Sequence, residues 1–177
     1  MRSMPNMVVL APGDGVEAAK TVPAAAEYDG PVYLRLTRDP SPIIFDDNYD
    51  FQIGRAVVLR EGHDITIMTT GLMGSRALEA ADELSQEGIS AYILHLPTVK
   101  PLDEEAVVAA AKRTGLVVTA EEHSILGGLG GAVAETLGEK LPTLIKRVGL
   151  KDTYAESGPN EAMLDKYGLT TRYITQA

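Results

Sequence analysis

Glu121, Glu122 and His123 stand side by side in this chain, and glycines follow at 127, 128, 130 and 131. Two carboxylates, an imidazole and a glycine cluster are groups that catalysis and phosphate binding draw on. The glycines permit tight turning and close backbone approach, and the helical pattern from Ala132 to Leu137 begins directly after them. That spacing matches neither G-x-G-x-x-G nor G-x-x-x-x-G-K-[ST], so it favours helix-against-sheet packing over direct phosphate binding. No serine or aspartate arrangement supports a nucleophilic triad. The other histidines, His63 and His95, are too distant in sequence for a local metal motif. His63 falls in an expected turn, exposed to solvent, and His95 ends an expected strand, where a satisfied packing histidine is the ordinary outcome.

These groups need elements to position them. Residues 116–120 are short, apolar and partly β-branched, the pattern of a strand buried on both faces of a parallel sheet, and the acids mark its C-terminal edge. Further strands are expected at 7–11, 31–36, 56–60, 64–70, 90–95 and 143–148. Helical patterns separate them at 75–87, 103–113 and 130–141, and a last helix is expected at 160–167. Asp14 is placed to cap a helix running to Ala26, with Pro23 as an irregularity. Asp103-Glu104-Glu105 suits the positive end of the helix dipole. The alternation predicts a mainly parallel sheet in three layers. Only Glu61-Gly62-His63 joins the strands at 56–60 and 64–70, which predicts an antiparallel hairpin there and a mixed sheet. Residues 37–52 hold two prolines and several aspartates without a sustained period and read as a linker, placing a domain boundary near residue 52.

Composition narrows the function classes. At 177 residues and 45% hydrophobic, the chain can bury one ordinary domain plus a short extra segment. It has no cysteine, which excludes disulfides and thiolate metal sites, and it shows no signal peptide or long apolar run, so a cytoplasmic setting is expected. A net charge of −9 argues against nucleic acid and anionic membrane surfaces as partners.

The stretch V-T-x-E-E-H-x-x-x-G-G-L-G-x-A-V-A-E, which ends at Glu135, resembles the C-terminal domain of transketolase-like, thiamine-diphosphate-dependent enzymes. Residues 2–12 are similar to that superfamily's R-x-x-P-N segment, residues 98–103 to its T-x-K-P-L-D turn, and residues 152–169 to its ESG…YGL tail. Because these matches run in family order, the resemblance covers essentially the whole chain. It implies an α/β fold: a three-layer α/β/α domain of transketolase type at 53–177, with a mixed, mainly parallel five-stranded sheet. Residues 1–52 would then be the tail of a pyrimidine-binding domain plus linker.

Several functional expectations follow from the resemblance. The complete enzyme would use thiamine diphosphate and Mg2+, bound mainly by sections absent here, to move a two-carbon ketol unit between sugar phosphates. The partner would be an N-terminal transketolase section or subunit, with a homodimer at least, and this chain alone would be inactive. Gly13-Asp14-Gly15 copies the opening of the cofactor's metal motif. Asn48 lies too far beyond it, however, and the intervening residues do not match, so helix capping is the better reading. Arg38 aligns with the arginine that contacts the sugar phosphate, a task suited to a planar, permanently charged guanidinium. A plain linker salt bridge is the competing reading for Arg38, and an exposed strand face the ordinary one for Arg35. No catalytic role is carried over to His123. Glu121-Glu122-His123 and the 96–103 turn lean toward transketolase rather than deoxyxylulose-phosphate synthase or a 2-oxo-acid dehydrogenase β chain. A non-catalytic dimerisation module is the alternative from another class, and a nucleotide-binding regulatory domain on 127–131 a third. Residues 1–36 form a strand-helix-strand unit whose apolar faces need further cover.

Overall fold

The computed structural model describes all 177 residues. Its first unit is β1 (Val8–Leu10), α1 (Gly15–Glu27) and β2 (Val32–Leu34), with β1 and β2 parallel. Asp14 caps α1 by accepting from the Glu17 amide at 2.8 Å, and Pro23 sits inside the helix without ending it. Residues 37–52 contain neither helix nor strand.

The rest contains β3 (Val57–Arg60), β4 (Ile65–Thr69), α2 (Met73–Gln86), β5 (Ala91–His95), β6 (Thr98–Lys100), α3 (Glu104–Thr114), β7 (Leu116–Ser124), α4 (Leu129–Lys140), β8 (Leu144–Leu150), α5 (Asn160–Lys166) and α6 (Thr171–Thr175). Five of these strands form one sheet in the order β3-β5-β4-β7-β8. All its neighbours are parallel except β3 against β5. This is the expected mixed, mainly parallel sheet. Successive strand residues point to opposite faces, so both faces build a core. Ile67, Ile93 and Val118 pack with Met73, Ala77 and Leu84 of α2 and with Ile174 of α6. Their neighbours Met68, Leu94 and Val117 pack with Val107 of α3 and with Leu129 and Leu137 of α4. Each fully buried aliphatic side chain of this kind stabilises by about 1.5–3 kcal/mol. The helix ends follow the charges: Asp103 caps α3, Glu104 and Glu105 occupy its first turn, and Gly115 closes it at φ 73°.

The expected hairpin between 56–60 and 64–70 is wrong. β5 lies between those strands, and the 61–63 link crosses the start of β5 instead of folding back. The His63 and Asp64 amides both donate to the Ser90 carbonyl, at 3.1 and 2.9 Å. Gly62 is what lets the chain pass, because a Cβ there would meet the Ala91 carbonyl carbon at 2.2 Å. Tertiary burial decides the order: all five residues of β5 are buried, which a central position satisfies.

β7 runs four residues past its expected end, through the acids to Ser124. Two elements have no counterpart in the sequence reading, namely β6 and the short helix α6. β6 leaves the five-stranded sheet and pairs antiparallel with β1, making a three-stranded sheet in the order β2-β1-β6. The expected apolar exposure of the N-terminal unit is present, since Met1, Met4, Val22 and Leu36 all face solvent. No helix is long and apolar enough to cross a membrane.

Candidate functional site

The chain leaves β4 through α2 to reach β5 on one side, and later reaches β7 on the other side of β4. The C-terminal ends of β4 and β7 therefore flank the point where strand order reverses, the usual ligand crevice of an open α/β sheet. A cavity of about 200 Å³ lies there, lined by Tyr33, Arg35, Thr70, Leu72, Glu122 and His123 among others. Tyr33, Arg35, Thr37, Leu72 and Glu122 also line a larger cleft of about 960 Å³. One wall of that cleft is the segment 33–42, which carries Arg38. The others are the start of α2 and the residues 155–163 leading into α5.

Glu121 explains the glycine cluster. It is 1% exposed, and its Oε2 and Oε1 accept the amides of Leu129 and Gly130 at 2.7 and 2.8 Å. A carboxylate from β7 thus caps α4, the end of a helix where negative charge is favoured. Burial pushes its pKa up, while the two helix amides pull it down. A Cβ on Gly128 would sit 1.8 Å from Glu121 Oε2. The glycines accordingly serve helix-sheet packing, as expected. The regulatory nucleotide reading fails because a protein carboxylate already occupies the amides a phosphate would need.

Glu122 turns toward the cleft. Burial raises its pKa against the opposing pull of Arg35 and Arg76. Arg35 is not the exposed strand face expected of it: its Nη2 donates to the Glu122 carbonyl at 2.6 Å. Arg76 donates to Glu161 at 2.7 Å from Nη2, and its buried Nε has no acceptor. Arg38 is exposed and makes no hydrogen bond or ion pair, so the linker salt bridge is absent, and it lines the same cleft as Arg35 and Arg76. His123 is 44% exposed and spends Nδ1 on the Ser124 carbonyl at 2.8 Å. His63 is exposed in its link, away from this cleft.

A second cluster was legible only in part. His95 is fully buried, with Nε2 2.8 Å from Glu17 Oε2 and Nδ1 3.2 Å from Thr69 Oγ1. It is the satisfied packing histidine expected. Glu17, also fully buried, further accepts the Gly13 amide at 2.6 Å and the Tyr49 hydroxyl at 2.7 Å. Burial and then Glu17 push the Tyr49 pKa well above the ordinary tyrosine value. Asp14 gives its remaining oxygen to the amides of Ile44 and Phe45, at 2.7 and 2.9 Å. Its carboxylate caps α1, as expected, and ties down the linker. The sequence reading missed Glu17, and the signal that could have found it is the Asp14-x-x-Glu17 spacing of a capping-box variant.

The transketolase C-terminal domain family matches residues 54–174. The 6-deoxy-6-sulfo-D-fructose transketolase subunit SqwH of Clostridium sp. (strain MSTE9) is 47% identical over 177 residues, covering 100% of this chain and 55% of that protein. The 1-deoxy-D-xylulose-5-phosphate synthase of Heliobacterium modesticaldum is 37% identical over 99% of this chain and 28% of the synthase. Among solved structures, a split-gene transketolase described as an inactive β4 tetramer superposes with a TM-score of 0.94 at 46% identity, over 99% of this chain and 57% of that one. The chain thus spans about half the length of the transketolase subunit it matches. With the family spanning most of the chain and the fold superposing end to end, the chain belongs to the transketolase C-terminal domain family.

Proposed function

We propose that this chain is the C-terminal section of a transketolase that works with an N-terminal section to transfer a two-carbon ketol unit between sugar phosphates. Within it, Arg38 holds the anionic end of the substrate. One observation carries that role: of the cleft's three arginines, Arg35 is held by Glu122 and Arg76 by Glu161, and only Arg38 makes no hydrogen bond or ion pair at all. An unpaired guanidinium at a cleft wall is free to take phosphate oxygens two at a time. The sulfonated sugar in the name of the Clostridium relative supports an anion-holding role rather than a strictly phosphate-holding one.

In the complete enzyme the family's thiamine diphosphate supplies the carbanion chemistry. The residues present here do not fit that group, because Asp14 gives both carboxylate oxygens to backbone amides. We therefore assign the cofactor and Mg2+ to the partner section, and leave this chain inactive on its own. The division into a pyrimidine-domain tail at 1–52 and a C-terminal domain at 53–177 belongs to the same reading, supported on its second half by the family match at 54–174. A cytoplasmic setting also belongs to it, resting on a sequence without cysteine.

The test is reconstitution with the N-terminal section. Arg38→Ala should raise the apparent KM for phosphorylated sugars by roughly tenfold or more, the worth of a charge-assisted hydrogen bond, and leave unphosphorylated analogues nearly unchanged. Equal effects on both substrates would remove the anion role. A second reading, self-association without catalysis, has its own support in the apolar side chains exposed along the first 43 residues and in the β4 assembly of the split-gene relative. It predicts a homodimer or larger assembly that gains no activity when the N-terminal section is added.

A further inference from the structure

A groove of about 460 Å³ lies along the free edge of β8, on the side opposite β7, and is closed by the end of α5 and by α6. Acids outnumber bases in this chain, 25 to 16, yet the groove lining includes Lys146, Arg147, Lys151 and Lys166 and no aspartate or glutamate. The strand pattern explains how the cations gather. Val148 belongs to the core under α5 and α6, with Leu164 and Ile174, so Lys146, two residues earlier, points to the same face where that cover ends. Lys151 follows the end of β8 directly, and Lys166 is the last residue of α5.

Two acids near the groove are paired, one of them with a groove cation. Glu156 pairs with Lys166 at 2.7 Å and Asp165 with Arg172 at 3.5 Å. Asp152, between Lys151 and Thr153, turns out of line at φ 43° and does not line the groove although both its neighbours do. Lys146 and Lys151 have no hydrogen-bond or ion-pair partner, whereas the Arg147 side chain turns to the opposite face of β8, against Gly130 and the Ile125 carbonyl at 3.1 Å. Like charges held together repel one another, and an anion between them relieves that. The edge of β8 adds unpaired backbone groups, and the rings of Tyr167 and Tyr173 also line the groove.

We propose that this groove binds an organic phosphate, with the phosphate on Lys146 and Lys151 and the organic body against Tyr167 and Tyr173. The site is separate from the Arg38 cleft, with which it shares no lining residue. The proposal does not depend on the transketolase reading.

The experiment is isothermal titration of the full chain with adenosine monophosphate, inorganic phosphate and adenosine, repeated on Lys146→Glu, Lys151→Glu, the milder pair K146Q/K151Q, and Lys112→Gln, an exposed charge on α3 outside the groove. The expected result is saturable binding of adenosine monophosphate, weakened roughly tenfold by each lysine reversal and unchanged by Lys112→Gln. Rising salt should weaken it, and adenosine should not bind. Binding that tolerates every groove lysine change overturns the proposal, as does loss on Lys112→Gln alone or no saturable binding of adenosine monophosphate. Equal affinity for inorganic phosphate would overturn the assignment of the tyrosines. The glutamine pair keeps the test valid if a reversal unfolds the chain, since it removes both charges without introducing repulsion.

Discussion

Gly128→Ala tests the cap that β7 places on α4. The backbone at Gly128 has φ −94°, a region open to alanine, so any cost must come from contact rather than from conformation. A Cβ would stand 1.8 Å from Glu121 Oε2, 2.8 Å from its Cδ and 2.8 Å from the Ser124 carbonyl oxygen. The carboxylate must move, and the buried amides of Leu129 and Gly130 then lose their acceptors. Losing a helix cap costs about 1 kcal/mol, and leaving a buried donor unsatisfied about 1–3 kcal/mol, so a total near 3 kcal/mol is expected. For a domain of this size that lowers Tm by roughly 6–12 °C. Gly138, inside the same helix, is the internal control, because a Cβ there meets nothing within 4 Å. Gly138→Ala should stabilise by about 0.5–1 kcal/mol through helix propensity. Urea unfolding followed by circular dichroism measures both. Adding Glu121→Ala to Gly128→Ala should cost much less than the sum of the two single changes, since both remove the same cap. If Gly128→Ala unfolds within about 0.5 kcal/mol of the parent, or if the two changes prove additive, the cap does not hold α4 as described.

Two further outcomes follow from the geometry. The Glu122 pKa is raised by burial, so its contribution is present at acid pH and is lost as pH climbs through the raised value; Glu122→Gln should raise Tm at pH 8 and leave it nearly unchanged near pH 4, as thermal scans at both pH values will show. Gly62→Ala places a Cβ 2.2 Å from the Ala91 backbone, where no side chain can swing aside, so it should destabilise by about 3 kcal/mol or more in urea unfolding, and a neutral result would mean the 61–63 link does not cross β5 as closely as described.

Most of the site was readable in part because its signals are local. The glycines after β7 announced close approach, and Arg38 was singled out by its alignment with the arginine that contacts the sugar phosphate in the family it resembles. The sequence carried no sign, however, that Glu121 rather than a ligand would fill the start of α4, because that depends on β7 continuing past Ala120 to bring the carboxylate there. Nor could it show that Arg35 and Arg76 are held by Glu122 and Glu161, which lie far off along the chain.

What the sequence by itself determined is the set of elements and their class: period-2 and period-3.6 apolar patterns, caps at Asp14 and Asp103, and a family resemblance spread over the chain. Tertiary structure alone decided which strands are neighbours. A three-residue link is locally compatible with a hairpin, but the burial of all five β5 residues is satisfied only when β5 sits inside the sheet, and Gly62 makes the crossing sterically open. The same holds for β6, three residues whose pairing with β1 repays no local preference, and for the cationic groove, where Lys146 and Lys166 meet because a strand edge and a helix end pack side by side. Local patterns report what a segment can become, whereas long-range contacts, set by burial and close approach, select its neighbours.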